Sequence, residues 1–164
     1  MNQWFDGKNS RELFFIGDRV EEVDKIIKDI KPPYYLKRLP RKIQGNYHHW
    51  KASEYRSWLL YYSLPSLQGI LPDTYLTHFS LLVEGTFILL GEGISEDDLA
   101  RADHLLRMFV KHINTLYRDS IVGLNVHNLI HLTRCVKMWG PLWAWSCFVF
   151  ESFNGEIMKA VHGT

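Results

Sequence analysis

Between residues 96 and 117, apolar side chains fall at Leu99, Ala102, Leu105, Leu106, Phe109, Ile113 and Leu116, a spacing that only an α-helix gathers on one face. Arg101, Asp103, Arg107 and Lys111 lie off that face. Ser95 followed by Glu96, Asp97 and Asp98 supplies the start: a hydroxyl able to accept from a first-turn amide, then acids where the helix dipole favours negative charge. A helix this long must bury its stripe against surfaces of similar period, so this one feature already points to helices packed on helices.

The rest of the chain offers the partners. Val20, Val23, Ile26, Ile27 and Ile30 predict a helix over 20–30, stopped by Pro32-Pro33. A second is expected over 53–69, capped by Ser53 and kinked or ended by Pro65 and Gly69. Pro72-Asp73 opens a third over 73–90, apolar on most faces and therefore central, with Gly91 and Gly93 after it. Asn125 is the expected cap of a helix over 126–138 that Gly140-Pro141 ends, and a terminal helix is expected over 149–161. Trp4-Phe5 and Leu13-Phe14-Phe15-Ile16, bounded by Gly7 and Gly17, read as short strands. The expected class is all-α, mostly helical. It divides into a mixed basic segment (1–50), a helical domain (51–138) and an aromatic-rich segment with its terminal helix (139–164).

With 164 residues, 46% of them apolar and 14% aromatic, the chain can build one packed core but is short for two domains. A net charge of +1 argues against a surface that coats nucleic acid uniformly, yet it averages over a strong asymmetry. Lys31, Lys37, Arg38, Arg41, Lys42, Lys51 and Arg56 face a single acid, Glu54, whereas Glu92, Glu96, Asp97, Asp98 and Asp103 face a single base, Arg101. The two cysteines, Cys135 and Cys147, and the polar start through Asn2, Asp6 and Lys8 lead us to expect an intracellular, reducing compartment. The most apolar window, Tyr75 to Leu90, contains His78 and Glu84 and is shorter than the ~20 residues of a membrane span, so no membrane partner is expected.

Three sets of residues are able to carry chemistry. His127 and His131 stand one helical turn apart, a geometry that can chelate zinc, although a packed and a solvated histidine would share that spacing. Cys135 extends the same stripe, and no Cys-x-x-Cys completes a ligand set. Glu151 lies between Phe150 and Phe153, where a carboxylate either has a cation or donor partner or faces out while the rings face in. The basic stretch around Lys37, Arg38, Arg41 and Lys42 is interleaved with Tyr34, Tyr35, Tyr47 and Trp50. It has the composition of a nucleic-acid contact or of a solvated linker anchored by its rings. Phosphate-loop, nucleophile-elbow and zincin signatures are absent.

Several phrases carry a resemblance when taken in order. They are Trp50-Lys51-Ala52-Ser53-Glu54-Tyr55-Arg56, Leu59-Leu60-Tyr61-Tyr62-Ser63-Leu64-Pro65, Gly69-Ile70-Leu71-Pro72, Asn125-Val126-His127 through His131-Leu132, Trp139-Gly140-Pro141-Leu142-Trp143, and Cys147 to Gly155. Together they resemble the carboxyl-terminal region of CACTA-type (En/Spm-like) DNA transposases over nearly the whole chain.

The resemblance implies a helical insertion domain plus the last helix of a ribonuclease-H-like core, with the core itself outside these residues. It implies that His127 and His131 share a Zn2+ with an upstream Cys-x-x-Cys, and that Glu151 is the third acid of a Mg2+ site. It further implies DNA and the upstream transposase core as partners, and a nuclear location. Two-metal strand transfer needs several carboxylates around paired ions about 3.5–4 Å apart, and a single glutamate cannot hold both. The expectation is therefore a fragment or derivative of a cut-and-paste transposase that is not catalytic alone and leaves a nicking assay blank. The alternative is a domesticated helical module for DNA or protein binding, and the third possibility is a remnant with no stable fold.

Overall fold

A computed structural model of the chain describes residues 1–31, 34, 39–117 and 123–146. Every regular element among them is helical: α1 (Asn2–Phe5), α2 (Val20–Asp29), α3 (Ala52–Ser57), α4 (Ser63–Leu67), α5 (Asp73–Leu89), α6 (Glu96–Leu116), α7 (Leu124–His127) and α8 (Leu132–Trp139), linked in places by single 3₁₀ turns. The all-α expectation holds for these residues. The terminal helix over 149–161 falls outside them.

The predicted helix over 96–117 is α6, and its start matches the reading of Ser95. The Ser95 Oγ accepts the Asp98 amide at 3.1 Å while the Asp98 carboxylate accepts the Ser95 amide at 3.1 Å. α5 lies against it. The Nε2 of His78 donates to the Phe109 carbonyl at 2.8 Å, Glu84 pairs with Arg101, and Gly85 lets the two backbones close in. A Cβ built on Gly85 would stand 2.9 Å from Leu106 Cγ, so a glycine sits where a side chain would push the helices apart.

Two apolar clusters form around this hairpin. The larger gathers Trp4, Phe14, Ile16, Val23, Ile27 and Ile43 from the first fifty residues with Trp58, Tyr62, Leu67, Phe79 and Val83 from the helices that follow. The smaller consists of Leu89, Ala102, Leu106 and Val136. Leu82 packs against both.

Three local expectations are corrected. Trp4-Phe5 is part of α1, not a strand, and Leu13-Phe14 lies in a turn closed by the Phe15 amide on the Glu12 carbonyl at 3.0 Å. Among the described residues the chain there makes a single long-range backbone bond, from the Ile16 amide to the Trp4 carbonyl, so no ladder forms among them. The run over 53–69 begins instead at Ala52 and is interrupted by one π turn, Trp58–Tyr62. Pro65 in α4 lacks an amide proton, and the wider turn before it accommodates the lost bond. Serine hydroxyls take up nearby carbonyls: Ser63 Oγ donates to Leu59 at 2.9 Å and Ser66 Oγ to Tyr62 at 2.5 Å. Finally, the helix over 126–138 is three pieces, α7, a 3₁₀ turn (Asn128–His131) and α8, with Gly123 and not Asn125 at its start. Gly140 ends it at a φ of 86°, as its place in the sequence predicts.

Candidate functional site

The histidine pair is held by α8 and, through it, by α6. Val136 packs with Ala102 and Leu106. Thr133 donates to the Asp103 carboxylate at 2.8 Å, Arg107 takes the other oxygen at 2.6 Å, and Lys137 pairs with Glu96 at 2.8 Å. Burial pushes the Asp103 carboxyl up, but the bonds from Arg107 and Thr133 outweigh it and hold the group below its ordinary value. Part of the acidic stretch seen in the sequence is thus occupied in capping α6 and tying α8 to it.

On that support His127, the last residue of α7, and His131, the last of the 3₁₀ turn, are both exposed. Their rings stand 5.2 Å apart, centroid to centroid, at 71°. Two imidazoles on one tetrahedral zinc, each bound at ~2.0–2.1 Å, also have ring centres about 5 Å apart. An edge-to-face ring contact satisfies the same spacing. Among the described residues no group of three His, Cys, Asp or Glu side chains is arranged to hold a metal. Cys135 therefore does not join the pair, although uniform helical spacing would align it. The 3₁₀ turn rotates by three residues per turn instead of 3.6 and breaks the stripe. What remains is a pair of exposed imidazoles, too few on their own for a tetrahedral zinc.

The basic segment divides. Lys37 and Arg38 lie outside the described residues, as does Glu151. The Arg41 guanidinium is engaged by the buried carboxylate of Glu54, with Nε–Oε1 2.7 Å and Nη2–Oε2 3.0 Å, and it also donates to the His49 carbonyl at 2.5 Å. The Lys51 amide donates to Glu54 Oε2 at 2.8 Å. Arg41 is therefore a structural cation that fixes the start of α3 as well as half-exposed surface. Lys42, by contrast, is exposed. Sequence reasoning passes over Lys25 and Lys28 on α2, which line one groove together with Lys42. The available signal is their position three apart, off the apolar stripe of that helix.

Searches of family models, of curated proteins and of solved structures find no match to this chain.

Proposed function

We propose that this chain is a fragment of, or a domain derived from, a cut-and-paste DNA transposase, and that it contributes half of a structural zinc site. His127 and His131 would supply two nitrogens. Two further ligands, the cysteines that the resemblance implies, would come from a core outside these residues. Zinc there would supply cross-linking, not chemistry, because a filled tetrahedral site keeps no open position for water. Glu151 would act only within the parent's magnesium site, so this polypeptide alone is not a nuclease. The observation that carries the reading is the pair of exposed imidazoles at 5.2 Å on a segment anchored to α6. The alternative, a DNA-binding module without metal, draws on the lysines near Lys42.

Cobalt(II), a spectroscopic stand-in for zinc, tests the proposal. The chain mixed with a Cys-x-x-Cys peptide is expected to give the absorption of a tetrahedral site with mixed sulphur and nitrogen ligands. His127→Ala or His131→Ala should return it to the spectrum of the peptide alone. Identical spectra with and without the two histidines would overturn the assignment.

A further inference from the structure

Lys25 and Lys28 on α2, Lys31 beyond its end and Lys42 on the facing segment line a groove of about 720 Å³. That volume lies inside the ~300–1,000 Å³ typical of ligand sites. Two acids also line it, and both are occupied. Asp24 accepts the amides of Ile43 at 2.6 Å and Gln44 at 3.1 Å, which fastens the facing segment to α2, and Glu21 accepts the Gln44 side chain at 3.3 Å. None of the four lysines forms an ion pair among the described residues. Four lysines without an ion-pair partner among the described residues, against two carboxylates, leave the lining net positive and suited to anions.

Apolar residues complete the lining: Ile27, Pro40 and Tyr62 are buried, and Leu39 is 45% exposed. Tyr62 belongs to the π turn, a backbone irregularity that recurs at functional sites, and its hydroxyl is buried with no hydrogen-bond partner among the described residues. Flat aliphatic and proline surfaces beside lysine point charges suit a ligand with an apolar ring and a phosphate. A paired duplex cannot present that combination, because its bases are stacked inside and cannot enter a groove.

We propose that this groove binds an unpaired nucleotide, its phosphate on Lys25, Lys28, Lys31 and Lys42 and its base against Leu39 and Pro40. The chemistry is the same whether the nucleotide is free or part of a single DNA strand. With lysines and no arginine among the described residues that line it, base preference should be weak. The inference stands apart from the zinc reading, since loss of either site leaves the other's residues untouched.

The test is fluorescence anisotropy of the full chain with a labelled short oligothymidylate, competed by dTMP, ATP, inorganic phosphate, the matching duplex and dodecyl phosphate. Binding is expected to weaken with salt. Lys25→Gln with Lys28→Gln should weaken it at least about fivefold, in proportion to two lost surface charge contacts. Leu39→Asn should weaken the oligonucleotide while leaving inorganic phosphate unchanged, with circular dichroism confirming that each variant is folded. Strong competition by ATP would identify a free nucleotide as the ligand, and weak competition would identify a single strand; either outcome supports the groove. Duplex or inorganic phosphate competing as well as the single strand would overturn the proposal, as would dodecyl phosphate displacing it more effectively than any nucleotide.

Discussion

The Arg41–Glu54 pair illustrates how one residue's role depends on a partner thirteen positions away. Composition alone groups Arg41 with the other cations of its segment, yet its guanidinium neutralises a carboxylate only 3% exposed. Burial pushes the Glu54 carboxyl up, but the Arg41 guanidinium and the Lys51 amide outweigh it, and the group sits below its ordinary value. A carboxyl lowered in the folded state stabilises the fold above its unfolded pKa near ~4.3, and that contribution is lost as pH falls below it. Removing the cation leaves a buried, unpaired charge. Arg41→Ala should therefore lower the melting temperature at neutral pH, and the loss should shrink in acid as Glu54 takes up a proton. Adding Glu54→Gln, which keeps an acceptor for the Lys51 amide, should restore part of the neutral-pH loss. A double variant less stable than Arg41→Ala at pH 7 would show that the pair is not what holds this corner.

At the scale of elements, the contact between α5 and α6 is where a substitution has the largest expected effect. Leu106 is 1% exposed and meets Gly85, Ala102 and Val136 at the joint between both helices and α8. Leu106→Ala should cost about 3 kcal/mol in urea denaturation, the sum of lost transfer energy and an incompletely collapsed cavity. A cost below about 1 kcal/mol would mean that this packing relaxes freely. The helices carrying such contacts were readable because their period persists: α2, α5 and α6 fall within a residue or two of their expected bounds. Short apolar runs were not readable. Phe14 and Ile16 are buried and Leu13 is 82% exposed, an alternation like that of a strand, but only a ladder partner makes a strand and none of the described residues supplies one. The 3₁₀ turn at Asn128–His131 was equally hidden, because one tightened turn changes no residue type and only shifts which side chains align. Hence His127 and His131 could be found by spacing, whereas the separation of Cys135 from them could not. The lysine groove joins α2 to residues 39–44 through the Asp24 carboxylate, a contact between segments with no local signature.

For the whole molecule the question is whether the two apolar clusters behave as one. The larger draws on the first fifty residues as much as on the helices after them, with Trp4 edge-on to Phe79 at 4.8 Å and Asp24 holding the Ile43 amide. The smaller holds the ends of α5 and α6 against α8. Both draw on α5, and Leu82 touches each, so neither can open fully without disturbing that helix. Tryptophans report on each side: Trp4, Trp50 and Trp58 in the larger cluster, Trp145 against the smaller. The shared helix argues for a single cooperative transition, in which tryptophan fluorescence and far-ultraviolet circular dichroism fall together along a urea titration. Leu106→Ala should then move both curves to lower urea by the same amount, although its cavity lies in the smaller cluster alone. Separate midpoints, or a shift seen only in the variant's Trp145 signal, would show that the clusters unfold independently. The histidine pair, anchored to the smaller cluster, and the lysine groove, built on the larger, would in that case be carried by two units of different stability.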